Sequence, residues 1–354
     1  IVTTVGKTEA PADVSGVSLV PINESSAILS WARSTELDVL VGGKVLIRHN
    51  KATENALWDQ SQEIVAAAAG SQTQKQVPLL NGSYLLKFED DGGRRSVDAT
   101  VITADLTIQQ PRLTVSNINE EDFSFIGAGS SLTNMTYNAG YDALIISDFN
   151  VSLSGEYILG LDDRNPLDLG ATYDVNIQRR IASASYSAIT LWDNQTALID
   201  TWETIDGDVV DRVDVAMYVR YTTEDPASSP VWSSWREFSN AIVRGRGFQF
   251  KIIAATEDIA QNIQISQLGV LVELQQRVEV SAILTTGAAA YNVTYAKAFY
   301  AAPSVGITAY NLIHNEDFTI TNVTRTGFTI NFRHGNNSLA RSFTYTAVGF
   351  GGVI

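Results

Sequence analysis

The 354-residue sequence lacks cysteine and has only three histidines. Without cysteine the chain cannot form disulfide bonds, zinc–thiolate sites or a thiol nucleophile. The histidines, His49, His314 and His334, lie in separate segments with no Gly-x-Ser-x-Gly sequence, so a Ser-His-Asp catalytic arrangement is not indicated. No apolar run approaches the roughly 18 residues of a membrane-spanning helix. We therefore expect a protein that is not an enzyme and does not span a membrane.

Basic residues are also scarce. The chain has 24 Lys and Arg against 39 Asp and Glu, a formal net charge of −15. Residues 105–274 hold 10 of those 24 basic residues and 24 of those 39 acidic residues. Because such a surface repels phosphate, we expect no nucleic-acid partner.

Alternating apolar and polar residues dominate the chain, and no long helical period appears. In residues 213–219 the apolar positions have the period of two that is typical of a strand with one buried face: Val213, Val215, Met217 and Val219. Proline and small polar residues at 225–230 end this pattern. The length of the chain suggests two or three domains. The sequence therefore predicts an all-β fold of tandem β-sandwiches.

Residues 213–250 also resemble a known family. The segments that carry the resemblance are Tyr-Val-Arg-Tyr-Thr-Thr at 218–223, Trp-Ser-Ser-Trp-Arg-Glu-Phe at 232–238 and Gly-Arg-Gly-Phe-Gln-Phe at 245–250. They are similar to a segment that recurs in bacteriophage tail-tip proteins of the host-specificity class. The resemblance implies a virion tail protein that is assembled in the bacterial cytoplasm and meets the bacterial surface outside it. Since the chain starts at Ile1 without an initiator Met or signal segment, we expect it to belong to a longer protein.

Residues 1–104 resemble a fibronectin type III-like sandwich. Ala-Ile-Leu-Ser-Trp at 27–31 is similar to a strand ending in the core tryptophan, Trp31, and residues 77–84 resemble the Leu and Tyr pair at a sandwich corner. Such modules are usually spacers in tail-tip proteins.

Residues 105–274 resemble a galactose-binding-like jelly roll or carbohydrate module. The resemblance rests on Asp-Leu-Gly and the strand that follows it at 168–177, and on a closing strand at 263–274.

Residues 275–354 resemble an H-type lectin domain. Short alternating strands at 318–320, 327–332 and 343–349 are separated by Asn, Gly and Thr turns. The resemblance implies a small sandwich that forms homotrimers. The polar loop residues that we would test first for receptor binding are Asn311, His314, Asn315, His334 and Asn336.

Two other kinds of site remain open. A glycan depolymerase needs two carboxylates flanking a sugar, and the best set is Asp206, Asp208, Asp211 and Asp214, near Trp202 and Tyr218. A solvated acidic surface explains the same pattern. Residues 162–168 place several oxygen ligands in one turn, which would suit a structural calcium ion, although a turn held by side-chain hydrogen bonds also explains them.

Trp232 and Trp235 are either core residues, a sugar platform or a subunit contact. Residues three apart on a strand face opposite sides, so we expect one of them at the surface or in an oligomer contact. Taken together, the sequence predicts a homotrimeric tail-tip or tail-fibre protein that contacts other tail proteins and binds a bacterial surface glycan or protein. The alternatives are a glycan-degrading tail depolymerase and a purely structural fibre segment.

Overall fold

The computed structural model describes residues 9–23, 25–104, 112–121, 125, 130–160, 166–187, 212–259 and 261–351. In these residues nearly all regular structure is β, with one four-residue helix, α1 (Leu37–Leu40), and short 3-10 turns that include Trp58–Gln60 and Pro226–Ser228. The predicted all-β fold class is confirmed. Within the same residues, no helix is long and apolar enough to cross a membrane.

The first module contains two facing sheets. Its strands are β1 (Ser18–Pro21), β2 (Ser26–Ser30), β3 (Lys44–Asn50), β4 (Gln62–Glu63), β5 (Ala68–Ala69), β6 (Gln74–Pro78), β7 (Gly82–Glu89) and β8 (Thr100–Ala104). One sheet has the order β1-β2-β6, and the other has the order β4-β3-β7-β8 with β5 added to β3.

The core of the first module confirms the expected role of Trp31. Trp31 is buried, and its indole N–H donates to the carbonyl of Gln72 at 2.9 Å. The hydroxyl of Tyr84 donates to the carbonyl of Pro78 and accepts from the N–H of Leu80, both at 2.7 Å. These two bonds join Tyr84 to the corner at residues 78–80.

The middle module forms most of one large antiparallel sheet system. Its strands are β9 (Arg112–Glu121), β10 (Ser131–Thr133), β11 (Met135–Asn138), β12 (Ala143–Ile146), β13 (Ser154–Ile158), β14 (Leu167–Ser187), β15 (Val213–Thr222), β16 (Arg236–Glu237), β17 (Asn240–Thr256) and β18 (Gln261–Val280). Strand β14 pairs with both β17 and β18, and β15 pairs with β17. The alternation predicted for β15 is present: Val213, Val215, Met217 and Val219 are all buried.

The third module is joined to the middle module by a shared strand. Its own strands are β19 (Leu284–Thr285), β20 (Tyr291–Thr294), β21 (Ser304–Ala309), β22 (Glu316–Thr321), β23 (Gly327–His334), β24 (Asn337–Ser338) and β25 (Ser342–Phe350). Strand β18 pairs with β9 and β14 in the middle module and then with β25 through residues 276–280. It therefore runs unbroken through position 274, where the sequence suggested a domain boundary.

Hydrogen bonds between side chains of one module and the backbone of the other dock the first module on the middle module. The bonds join Glu63 N to Asp214 Oδ1 (2.9 Å), Arg48 Nη2 to the Val213 carbonyl (3.0 Å), Arg179 Nη2 to the Glu63 carbonyl (2.9 Å) and Asn240 Nδ2 to the Leu79 carbonyl (2.6 Å). Arg48 and Arg179 are buried by this contact. Because buried polar groups are costly when they lose their partners, this interface holds the two modules in a defined arrangement.

Candidate functional site

The residues that sequence reasoning selected for receptor binding come together at one end of the third module. Glu316 at the start of β22 is paired with His334 at the end of β23, so the loop 310–315 lies beside the hairpin 334–337. Asn311 and Asn315 have positive φ values of 57° and 65°, a backbone conformation that asparagine tolerates better than most residues. We call residues 310–316 and 333–337 the tip.

An ion pair fixes the base of the tip. Arg341 Nε donates to Glu316 Oε2 at 2.8 Å, Arg341 Nη2 bonds Oε1, and the N–H of Ile313 also donates to Oε2 at 3.1 Å. The Glu316 side chain is only 3% exposed. Burial acts to raise the pKa of Glu316, but the bonds from Arg341 and Ile313 and the charges of Arg341 and His334 outweigh it, so the pKa is lowered. The carboxylate therefore stays charged and holds loop 310–315 from below.

The surface of the tip offers both polar and apolar contacts. His314, His334 and Asn336 are exposed, and Ile313 beside them is 64% exposed. Imidazole and amide groups donate and accept hydrogen bonds, while Ile313 supplies an apolar contact. This chemistry suits non-covalent recognition of a polar surface.

Trp232 and Trp235 both contact Arg220, and Trp235 also contacts Lys251. The Arg220 guanidinium carbon lies 5.2 Å from the centre of the Trp232 ring and 4.9 Å from that of Trp235. Lys251 Nζ lies 4.9 Å from the Trp235 ring and 5.9 Å from the Tyr218 ring. We call these five residues the cation–aromatic ladder. Both tryptophans are half-buried in the segment before β16, outside any strand, so the expectation that they face opposite sides does not apply.

Of the four carboxylates considered for catalysis, only Asp214 lies in the described part of the chain. Asp206, Asp208, Asp211 and Trp202 lie outside it. Asp214 is described, and it accepts the hydrogen bond from Glu63 at the interface between the modules. Burial, and secondly the charge of Asp214, raise the pKa of Glu63.

The turn considered for calcium is only partly described, because residues 161–165 lie outside. Asp168 accepts from Arg246 Nε at 2.9 Å and Nη2 at 3.0 Å, and from the N–H of Gly170 at 2.8 Å. The bonds from Arg246 are the main reason why the pKa of Asp168 is lowered. Both carboxylate oxygens of Asp168 are thus engaged in a turn held by side-chain hydrogen bonds. Among the described residues, no group of three His, Cys, Asp or Glu could hold a metal ion.

Comparison of the sequence with protein-family models and with curated proteins finds no match. Among solved structures, the chain is similar to a protein from a study of promiscuous specificity in carbohydrate-binding modules of the beta-sandwich superfamily. The identity is 13%, the match covers 75% of this chain and 99% of that chain, and the TM-score is 0.20. A superposition this loose carries no argument about fold or function.

Sequence reasoning missed three features that depend on distant parts of the chain. They are the ladder cations Arg220 and Lys251, the ion pair between Glu316 and Arg341, and the role of Glu63 between the modules. The one local signal was alternation, which places Tyr218 and Arg220 on the same face of β15.

Proposed function

We propose that this chain is a distal segment of a bacteriophage tail-tip or tail-fibre protein that binds a host surface glycan or protein through the tip, without catalysis. Its place of action would be the virion tail, in contact with other tail proteins. The proposal rests on the sequence resemblance described above and on where the tip lies. The resemblance supports the class of protein, and the position of the tip supports the choice of contact surface.

The position of the tip is the observation that carries the proposal. Strand β25 begins at Ser342 beside Tyr310 and ends at Phe350, which pairs with Gln276 near the middle module. Its nine residues span about 26 Å from first to last at roughly 3.3 Å per step. The tip therefore lies at the end of the third module that points away from the rest of the described chain, where a host surface can reach it.

We further propose a homotrimer. A small module such as 275–354 has a limited core and benefits from association. Three copies of a weak site on one fibre would bind a surface far more tightly than one copy, because the second and third contacts are intramolecular. The ladder tryptophans, Trp232 and Trp235, remain our prediction for the oligomer contact.

The test combines a binding assay with a mass measurement. The 354-residue chain is incubated with a panel of bacteria, and retention on cells is measured beside light scattering in solution. We expect a trimer that is retained by a subset of strains. A variant carrying His314→Ala, His334→Ala and Asn336→Ala should lose retention, whereas a control carrying Thr321→Ala and Arg325→Ala, exposed positions at the opposite end of the same sheet, should keep it.

Three results would overturn parts of this proposal. Retention of the tip variant would move the receptor site elsewhere. A trimer that no strain retains would favour the purely structural fibre segment. Release of new reducing ends from the host glycan would favour the depolymerase.

A further inference from the structure

A cleft of about 360 Å³ lies between the first and middle modules. One wall comes from β3, β4 and the turn after β7, and the other comes from the start of β15 and the end of β17. The residues that line it include Lys44, Glu63, Glu89, Arg212, Asp214 and Glu257. Clefts of this size between domains are frequent sites for small ligands.

The docking of the two modules defines the shape of the cleft. The bond between Glu63 N and Asp214 Oδ1 joins the two walls, and Arg48 Nη2 reaches across to the Val213 carbonyl. Arg95 lies 3.8 Å from Glu257 on the opposite wall. These contacts hold the cleft open at a set width.

The charges in the cleft are balanced. Lys44 and Arg95 contact Glu89 at 3.3 Å and 3.0 Å, and Arg212 lies 4.0 Å from Glu257. An anionic ligand would have to displace a carboxylate from each of these cations. A cationic ligand would have to displace a lysine or arginine from each of these carboxylates. The described lining residues include no aromatic ring, so an extended apolar ligand gains little there. A neutral ligand with many hydroxyl groups matches the mixed donors and acceptors.

Glu63 places a half-buried carboxyl group on one wall of the cleft. Its backbone is fixed on both sides, through the bond to Asp214 and through the bond from Arg179 Nη2 to its carbonyl at 2.9 Å. Burial, and secondly the charge of Asp214, raise the pKa of its half-buried carboxyl group, whereas the charge of Arg48 lowers it. A ligand hydroxyl that enters the cleft would donate a hydrogen bond to this carboxyl group.

We propose that this cleft binds one neutral saccharide unit of a surface glycan, with Glu63 and Asp214 accepting hydrogen bonds from its hydroxyls and Lys44 and Arg212 donating to its oxygens. The cleft thus provides a second glycan site, separate from the tip. The choice of a glycan as the source of the saccharide rests on the proposed function. The choice of a neutral polyol rests on the cleft alone.

The first test titrates the 354-residue chain with millimolar N-acetylglucosamine, glucose, galactose and rhamnose, with saturation-transfer NMR as the readout. We expect at least one sugar to bind. Glu63→Gln should weaken that binding by at least about tenfold, whereas Glu54→Gln, an exposed glutamate of the same module, should not change it. Unchanged binding by the Glu63→Gln variant, with its melting curve intact, would overturn the proposal.

The second test uses the absence of cysteine. Ala67 lines the cleft, and its exposed neighbour Ala66 does not. Alkylation of an Ala67→Cys variant with a bulky maleimide should block sugar binding, and alkylation of an Ala66→Cys variant should not. This result would stand even if a Glu63 substitution disturbed the docking of the modules.

The same sugars are titrated into the tip variant described above, which separates the two proposals. Binding lost only in the tip variant would overturn the cleft and leave the proposed function standing. Binding lost only in the cleft variants would support the cleft and remove the tip as the sugar site. A wild-type chain that binds none of the sugars and no bacterial strain would overturn both.

Discussion

The carboxylate of Asp214 accepts a 2.9 Å hydrogen bond from the backbone N–H of Glu63, a residue 151 positions earlier in the chain. Asp214 stands at the start of β15 and Glu63 at the end of β4, so this bond joins the middle module to the first. An aspartate that the sequence offered as part of a catalytic set is, in the structure, a contact between modules. That contact also forms one side of the cleft.

Protonation of His49 is expected to destabilise the chain at acidic pH. Burial, and secondly the charge of Arg179, lower the pKa of His49 from 6.5 to about 3. Below about pH 6.5 the unfolded chain therefore binds a proton at His49, whereas the folded chain does not. The stability that neutral His49 contributes is complete above pH 6.5 and is lost as the pH falls toward 3. Between pH 7 and pH 5 the loss should be about 2 kcal/mol.

Urea unfolding of the wild type and of a His49→Gln variant at both pH values measures this effect. The difference between the two pH values should shrink by about 2 kcal/mol in the variant. A His314→Gln variant, changed at an exposed position, should behave like the wild type. If the His49→Gln variant keeps the full pH dependence, another group is responsible.

Removal of the Arg220 side chain from the ladder should lower the stability of the folded chain. Arg220 contacts the rings of Trp232 and Trp235, and each such contact contributes about 0.5–1 kcal/mol when partly exposed. Arg220→Ala should therefore destabilise the chain by about 1–2 kcal/mol and change its tryptophan fluorescence. Arg244→Ala, at an exposed position of β17, should do neither.

The ladder also allows a test of the oligomer contact. Trp235→Ala should lower the trimer fraction in light scattering more than Arg220→Ala does, if Trp235 contacts another subunit as well as Arg220. Equal trimer fractions in the wild type and the Trp235→Ala variant would restrict Trp235 to a role within one chain.

Gly327 is required by the close approach of β20. A Cβ atom at this position would lie 2.0 Å from the carbonyl oxygen of Val293. Gly327→Ala should therefore destabilise the third module by about 1–3 kcal/mol, as overpacking does. At Gly287 a Cβ atom would meet nothing within 4 Å, so Gly287→Ala is the matched control and should melt like the wild type. Equal melting of the two variants would contradict the pairing of β20 with β23.

Loss of the Glu316 charge should weaken binding at the tip without touching the receptor. Glu316→Gln removes the charge-assisted bonds from Arg341 while it keeps the shape of the side chain. We expect retention on bacteria to fall by about tenfold or less, and proteolysis within 310–315 to become faster. The exposed neighbour Asp317, changed to Asn, is the control. Faster proteolysis without weaker retention would remove loop 310–315 from the contact surface.

Local sequence patterns were enough to predict the strand content and some of the residues of the tip. The alternation in β15 and the burial of Trp31 follow from the pleat and from side-chain size, which neighbouring residues reveal. The Asn-rich turns around the tip were also visible, because asparagine tolerates the positive φ that Asn311 and Asn315 adopt.

The sequence by itself determined the all-β character, the acidity and the polar loops of the third module. The tertiary structure decided which of these residues meet. Strand β18 continues from the middle module into the third, Arg220 lies between two tryptophans, and Glu63 lines a cleft opposite Arg212. The physical reason is that alternation is a property of adjacent residues, whereas hydrogen bonds, ring contacts and clefts join residues whose separation along the chain carries no periodic signal.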